Sequence, residues 1–266
     1  MNSRGCEPRV CDRLPRWAAV GDALAMSRRV LGLCSTFLVL LVCGLASSAD
    51  AECASPRWAA HPLTTLGMTF PRLGSGFVVA MDVDMTSGTL PSAEPPAANV
   101  TRGRRTTWPL APVAIAPGLF RYPFDVHVTR GIWTLHGIGA DTVLTIGASA
   151  TPGVPVRPAV REIRRVAATG IGAVGTQRVE VRATLEFPVP DGVIASIVTW
   201  NTDATPAAWG RAAVGQREIV LFAEPGRCGT AAPGWTSPPD GTLIARVAYV
   251  DQLGQVSPAS EAITVQ

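Results

Sequence analysis

Arg178-Val179-Glu180-Val181-Arg182-Ala183-Thr184-Leu185-Glu186-Phe187 alternates polar and apolar residues without a break. A period of two puts Val179, Val181, Ala183, Leu185 and Phe187 on one face of a strand, and Arg178, Glu180, Arg182, Thr184 and Glu186 on the other. The pattern predicts a sheet with one buried and one wet face. It recurs along the chain. Phe77, Val79, Met81, Val83 and Met85 share a face, opposite Val78, Ala80, Asp82 and Asp84. Phe120, Tyr122, Phe124, Val126 and Val128 share another, opposite Arg121, Asp125, His127 and Thr129. Further strand candidates are Val193 to Trp200, Glu218 to Phe222, Leu243 to Val250 and Glu261 to Val265, separated by Gly, Pro, Asn and Asp clusters. Many short strands at this spacing predict an all-β chain of antiparallel sandwiches or barrels.

Ala159 to Ala168 places Val160, Ile163 and Val166 three apart, yet it follows Pro158 and stands where a first strand is needed, so it is expected to be an irregular strand. Residues 86 to 107 are polar and proline-rich and are expected to form a long loop or edge. The run Thr151-Pro152-Gly153-Val154-Pro155-Val156-Arg157-Pro158 reads as a stiff linker. It predicts a first β-sandwich over residues 52–150, a linker over 151–158 and a second β-sandwich over 159–266, each of ordinary domain size.

Arg28 and Arg29 precede an apolar run, Val30 to Leu45, and Ala49-Asp50-Ala51 follows. A basic start, a short apolar stretch and an A-x-A site are the layout of a secretory signal peptide. The run is short for a membrane span, which needs about 20 apolar residues. Residues 26–51 are therefore expected to be a cleaved signal peptide, with Glu52 as the mature N-terminus. Residues 1–25 carry Glu7, Asp12 and Asp22 and fit no basic leader, so they are expected to be translation overrun ahead of Met26. The membrane enters only through this export signal, and the expected location is secreted, periplasmic or cell-surface.

No lysine occurs anywhere in the chain. From Glu52 onward 17 arginines stand against 16 carboxylates, so the mature chain carries no basic excess of the kind that binds nucleic acid. The same cleavage leaves Cys53 and Cys228 of the chain's six cysteines. In an oxidising compartment an isolated pair is most simply one disulfide.

Ala245-Arg246-Val247-Ala248-Tyr249-Val250-Asp251-Gln252-Leu253-Gly254-Gln255-Val256-Ser257-Pro258-Ala259-Ser260 resembles the last two strands of a fibronectin type III or related Ig-like module. In such modules the penultimate strand ends in Asp or Asn, a glycine-containing turn follows, and serines open the last strand. Val198-Thr199-Trp200 resembles their tryptophan-bearing strand, while Leu243 or Ile244 stands where they carry a tyrosine. Ile115-Ala116-Pro117-Gly118-Leu119-Phe120-Arg121-Tyr122 resembles the proline-glycine entry to a late strand in bacterial Ig-like domains. The resemblance implies two tandem antiparallel β-sandwiches of Ig or fibronectin III-like character after a cleaved signal peptide.

The chemistry-bearing candidates are few. Gly170-Ile171-Gly172-Ala173-Val174-Gly175 spells G-x-G-x-x-G, but a strand follows it where a dinucleotide site needs a helix. It is expected to be a loop. If Arg130-Gly131 is a hairpin tip, Asp125 faces His136 and His127 faces Thr134; two histidines and a carboxylate suit a metal, but an exposed Asp–His cross-strand pair is the plainer expectation. Asp82 and Asp84 supply too few oxygens for calcium. No G-x-S-x-G elbow occurs. Arg102-Gly103-Arg104-Arg105 is expected to be a solvated basic loop. Trp108, Trp133, Trp200, Trp209 and Trp235 include two in loop-like stretches, Trp209 and Trp235, which are the candidate ligand-contact aromatics. No catalytic, metal or cofactor residue is assigned. The reading is an exported, non-catalytic structural or interaction protein whose partner is an unidentified protein or polysaccharide. The alternatives are a carbohydrate-binding module using loop tryptophans and a secreted hydrolase whose site the sequence does not mark.

Overall fold

The structure is a computed structural model describing residues 58–71, 75–83, 94–103, 106–148, 153–169, 177–201, 203–224, 237–239 and 241–266. The leader, Gly170 to Gly175, Asp84, Arg104 and Arg105, Cys53, Cys228 and Trp235 lie outside these residues. Cys53 to Gln266 forms one compact unit, and its described part is all-β.

Nine strands build the first sandwich: β1 (Trp58–Pro62), β2 (Thr69–Phe70), β3 (Gly76–Val83), β4 (Ala98–Arg102), β5 (Thr106–Leu110), β6 (Val113–Ala116), β7 (Leu119–Pro123), β8 (Gly131–His136) and β9 (Thr142–Ile146). They form two sheets, β1-β3-β7-β6 and β2-β9-β8-β4-β5. The strand order follows the immunoglobulin plan: β1, β3, β7 and β6 stand as its first, second, fifth and fourth strands, facing β4, β8 and β9 as its third, sixth and seventh, with β5 added beside β4 and β2 added in parallel beside β9. Phe77, Val79 and Tyr122 from one sheet meet Val100, Trp133, Leu135 and Leu144 from the other to make the core. Phe77 and Tyr122 stack at 5.0 Å, and Phe124 packs against Phe77 and Phe70. The Tyr122 hydroxyl donates to the Pro96 carbonyl at 2.7 Å, and burial pushes its pKa up to about 12.

Seven strands build the second sandwich: β10 (Val160–Thr169), β11 (Gln177–Leu185), β12 (Val193–Trp200), β13 (Ala208–Arg211), β14 (Glu218–Ala223), β15 (Ile244–Asp251) and β16 (Ile263–Thr264). Three of them form β10-β11-β14 and four form β13-β12-β15-β16. Ile163, Val181, Leu185, Trp200, Leu221, Phe222 and Tyr249 lie in its core. Gly210 is dictated by closeness: a Cβ there would run into the Val220 carbonyl of β14, where the two sheets meet at an edge. The last strand is irregular around Pro258, and serines compensate. Ser257 and Ser260 hydroxyls accept the N–H groups of Tyr249 and Val247 at 2.9 and 3.0 Å, so β15 keeps partners where a regular strand is missing.

The irregular strand expected over Ala159 to Ala168 is β10, Val160–Thr169, with a bulge between Val160 and Glu162. Three expectations are corrected. Residues 86–107 are expected to form a loop or edge; β5, which begins at Thr106, is indeed an edge strand, but residues 98–102 form β4 inside the sheet between β8 and β5, with Ala98 and Val100 facing the core and Asn99 and Thr101 facing outward. The strand expected over Phe120 to Val128 stops at Pro123, because the chain there crosses from one sheet to the other, leaving Val126 65% exposed. The alternation of β11 ends at Leu185, which is 2% exposed; Phe187, in phase with it, is 68% exposed beyond the strand end.

That last pair gives a direct check. Leu185→Ala should lower the unfolding free energy by about 2–5 kcal/mol as a core truncation, while Phe187→Ala should stay within about 0.5 kcal/mol as a surface change. Urea denaturation of both variants measures this, and equal costs would show the β11 boundary to be misplaced.

Candidate functional site

The two sandwiches share a third apolar layer. Val78 and Ala80 of β3, with Ala116 and Leu119, pack against Ala195 and Ile197 of β12, Trp209 of β13, and Ala248 and Val250 of β15. The sheets β1-β3-β7-β6 and β13-β12-β15-β16 are thereby covered on both faces along their central strands. Gly76 to Met81 is buried without interruption, as are Ala195 to Val198 and Val247 to Val250. The second face of β3 is expected from its alternation to meet water, but Val78 and Ala80 are fully buried. Their apolar side chains give the physical reason: from Gly76 to Met81 neither face carries a charge, Asp82 coming only near the strand's end, and such a stretch is suited to burial on both faces.

The turn after β15 fastens this layer. Asp251 Oδ1 accepts the N–H of Leu253 at 2.9 Å and of Gln255 at 2.7 Å. This local acceptance by an aspartate side chain is what closes such turns. Gly254 has φ +74°, and a Cβ on it would press into the Arg121 side chain. Leu253 is carried out of its own sandwich and joins the core of the first. Thr64 makes the polar tie. Its hydroxyl accepts the Val78 N–H at 2.8 Å and donates to the Gln252 carbonyl at 2.7 Å. Gln252 also donates its own N–H to Gly192 at 2.9 Å. Burial pushes the Asp251 carboxyl pKa up, against the opposing pull of the turn's N–H groups and the Arg121 charge. Burial likewise lowers Arg121, which Asp251's charge partly offsets.

Other sequence candidates are distributed differently. Trp209 sits on β13, 5% exposed, within the shared layer. It is corrected from a loop aromatic open to a ligand to a packing residue, paired across the strands with Ile197 of β12. Trp133 and Trp200 are core residues, and Trp133 donates its ring N–H to the Thr129 carbonyl at 2.7 Å. Arg102 lies over Trp133 at 5.8 Å and donates to the Thr129 hydroxyl.

Asp125, His127 and His136 do not converge. Asp125 caps the backbone N–H of His127 at 2.8 Å, and the His127 ring stacks on Trp108 at 4.4 Å. No group of three or more metal-ligating side chains occurs among the described residues. His136 instead lies between Asp141, at 2.8 Å from Nδ1, and the Thr101 hydroxyl, at 2.9 Å from Nε2. An acid orienting an imidazole that touches a hydroxyl has the order of a nucleophilic triad. It lies on the outward face of paired strands, where neighbouring backbone N–H groups serve the ladder and do not converge to hold an oxyanion. The arrangement is a cross-strand tie.

No family model matches the chain, and no curated protein matches it. Among solved structures, the human OSCAR ligand-binding domain aligns over 79% of this chain and 97% of its own length, at 13% identity and a TM-score of 0.23. That similarity carries no argument about what this chain binds.

Two outcomes test the junction. Thr64→Val removes one hydroxyl and leaves the Val78 N–H and Gln252 carbonyl without it. The expected cost is about 1–3 kcal/mol in urea denaturation, with Thr64→Ser close to wild type. Asp251 adds a pH dependence of known sign. Its raised folded-state pKa means that the folded chain holds the proton more tightly, so its contribution is fully present below the unfolded value of about 3.9. The contribution is lost as pH rises through the folded value. Wild type should therefore lose stability relative to Asp251→Asn as pH is raised from about 3.5 through the carboxylate range. A difference independent of pH would contradict this.

Proposed function

We propose that the chain is an exported, non-catalytic structural or interaction protein of the periplasm or cell surface, working as one rigid pair of β-sandwiches. The observation that carries this reading is the shared apolar layer: two domains that could have hung from a linker are held by Trp209, Ile197, Leu119 and their neighbours. A fixed relation between domains suits a spacer or presenting scaffold more than a hinge that closes on substrate. The three-plus-four strand arrangement of the second sandwich supports a fibronectin type III-like module, because β13 lies beside β12 instead of joining β14. In immunoglobulin constant domains the fourth strand lies in the other sheet. The signal-like sequence Arg28 to Ala51 supports export, and the partner is a protein or polysaccharide outside the cytoplasm. A disulfide between Cys53 and Cys228 belongs to the same reading.

Cell fractionation with mass spectrometry tests it. The expected product is extracytoplasmic, begins at Glu52 and gives a Cys53–Cys228 peptide on non-reducing digestion. A cytoplasmic chain with its leader intact would overturn export, and free alkylation of both cysteines would remove the bridge. Retention on cellulose or chitin that is lost in Trp235→Ala would replace this reading with the carbohydrate-binding one.

A further inference from the structure

Beside the shared layer the two sandwiches leave a cavity of about 600 Å³. It opens to solvent, and four segments line it: the β1–β2 connection, the connecting run Gly153 to Val156, the β11–β12 turn and the turn after β15. Small-molecule sites typically measure about 300–1,000 Å³, and junctions between domains are a preferred place for them. The cavity's volume and its position both satisfy that description.

Its walls are apolar and stiff. Met68, Val154, Pro155, Val156 and Pro190 line it, with Val193 and Leu253 behind them in the sandwich cores. Val154 and Val156 are 59% and 66% exposed, two large aliphatic side chains left to water on a segment whose prolines already restrict it. Proline fixes φ, so little further ordering is needed on binding. The opposite wall is held by the Thr64–Gln252 and Gln252–Gly192 hydrogen bonds. The site is preformed on both sides.

The polar lining has one sign. It consists of Asp191, Asp251, Thr65, Gln252 and backbone groups, and contains no Arg, Lys or His. Asp251 is engaged by its own turn and faces Arg121. Asp191 makes no ion pair among the described residues. An anion would meet two carboxylates, and an uncharged ligand would leave the Asp191 carboxylate, exposed at the rim, to water alone. A cation seated against the apolar part gains an attraction to Asp191 that neither of these has. We propose that the cavity is a binding site for a small amphipathic organic cation, its apolar body against Val154, Pro155, Val156 and Met68 and its ammonium or guanidinium group on Asp191.

Isothermal titration of the Cys53–Gln266 unit within the full exported chain tests this, with benzyldimethyloctylammonium as probe and octylbenzenesulfonate as its anionic counterpart, both below micelle formation. The expected result is saturable one-to-one binding of the cation with Kd below about 1 mM, and binding of the anion at least about tenfold weaker. Asp191→Asn, at an exposed turn position, should weaken the cation by about tenfold and leave the anion no weaker. Thr65→Trp, entering from the exposed rim, should abolish binding by filling the space. Asp203→Asn, an exposed carboxylate elsewhere in the second sandwich, should change nothing. Absence of saturable cation binding, equal binding of both probes, or cation binding unaltered in Asp191→Asn overturns the proposal. The last comparison stands even if Thr65→Trp fails to fold.

Discussion

Everything else in the structure depends on two sheets being dry on both faces. β3 can present Phe77 and Val79 to one core and Val78 and Ala80 to another only if a second sheet covers the side that usually meets water. The covering sheet has the same character: Val247 and Tyr249 of β15 face their own core while Ala248 and Val250 face outward onto β3 and β7. Small side chains matter here. Ala80, Ala116, Ala195 and Ala248 let the two sheets approach, and Trp209, Leu119 and Ile197 fill what remains. If either sandwich stood alone, those faces would be an exposed apolar patch of the kind that soluble domains seldom carry.

The wet faces at the two ends of this stack are unlike each other. On β10-β11-β14 the outward positions are charged and paired: Arg182 bonds exposed Glu218 and also Glu180, which is itself covered, and Arg164 bonds Glu162. Those bonds to Glu180 and Glu218 raise the Arg182 pKa. On the outer sheet of the first sandwich the outward positions are mostly uncharged, with Thr101, Thr134 and Thr145 beside Ile132 and Val143. The β11 ladder explains why that strand is so legible in the sequence. A sheet face that must stay in water carries charges, and charges make the alternation visible. Where the second face is buried, the charges vanish and so does the alternation.

That asymmetry marks what could and could not be read from the residues. Strand identity was legible in β11, β12, β14 and β15, because apolar and β-branched runs between turn residues leave little choice. The pairing of the sandwiches was encoded in Phe77-Val78-Val79-Ala80-Met81 and Ala195-Ser196-Ile197-Val198, which lack an exposed polar face, but a period-two reading assigns one face to water by habit. Strand ends were the least legible. Phe187 and Val126 keep the phase of their strands while the backbone has already turned away, since alternation records sequence and not hydrogen bonding. Trp209 looked like a loop residue because Pro206 and Gly210 flank it. Gly210 is there for the close approach of Val220, and the segment is a strand.

The turn Asp251-Gln252-Leu253-Gly254-Gln255 joins the two levels. The turn's own geometry accounts for Asp251 and Gly254, which supply its hydrogen bonds and its positive φ. It does not account for Leu253, since an apolar side chain at the tip of a hairpin has no use within its own sandwich. Placing Leu253 in the core of the first sandwich supplies that use, and the Thr64 hydroxyl then bonds the neighbouring Gln252 carbonyl. An apolar residue at the centre of a polar turn is thus a sign of a partner surface. Here that surface belongs to the same chain, so the feature that reads locally as a loop is part of what holds the two sandwiches together.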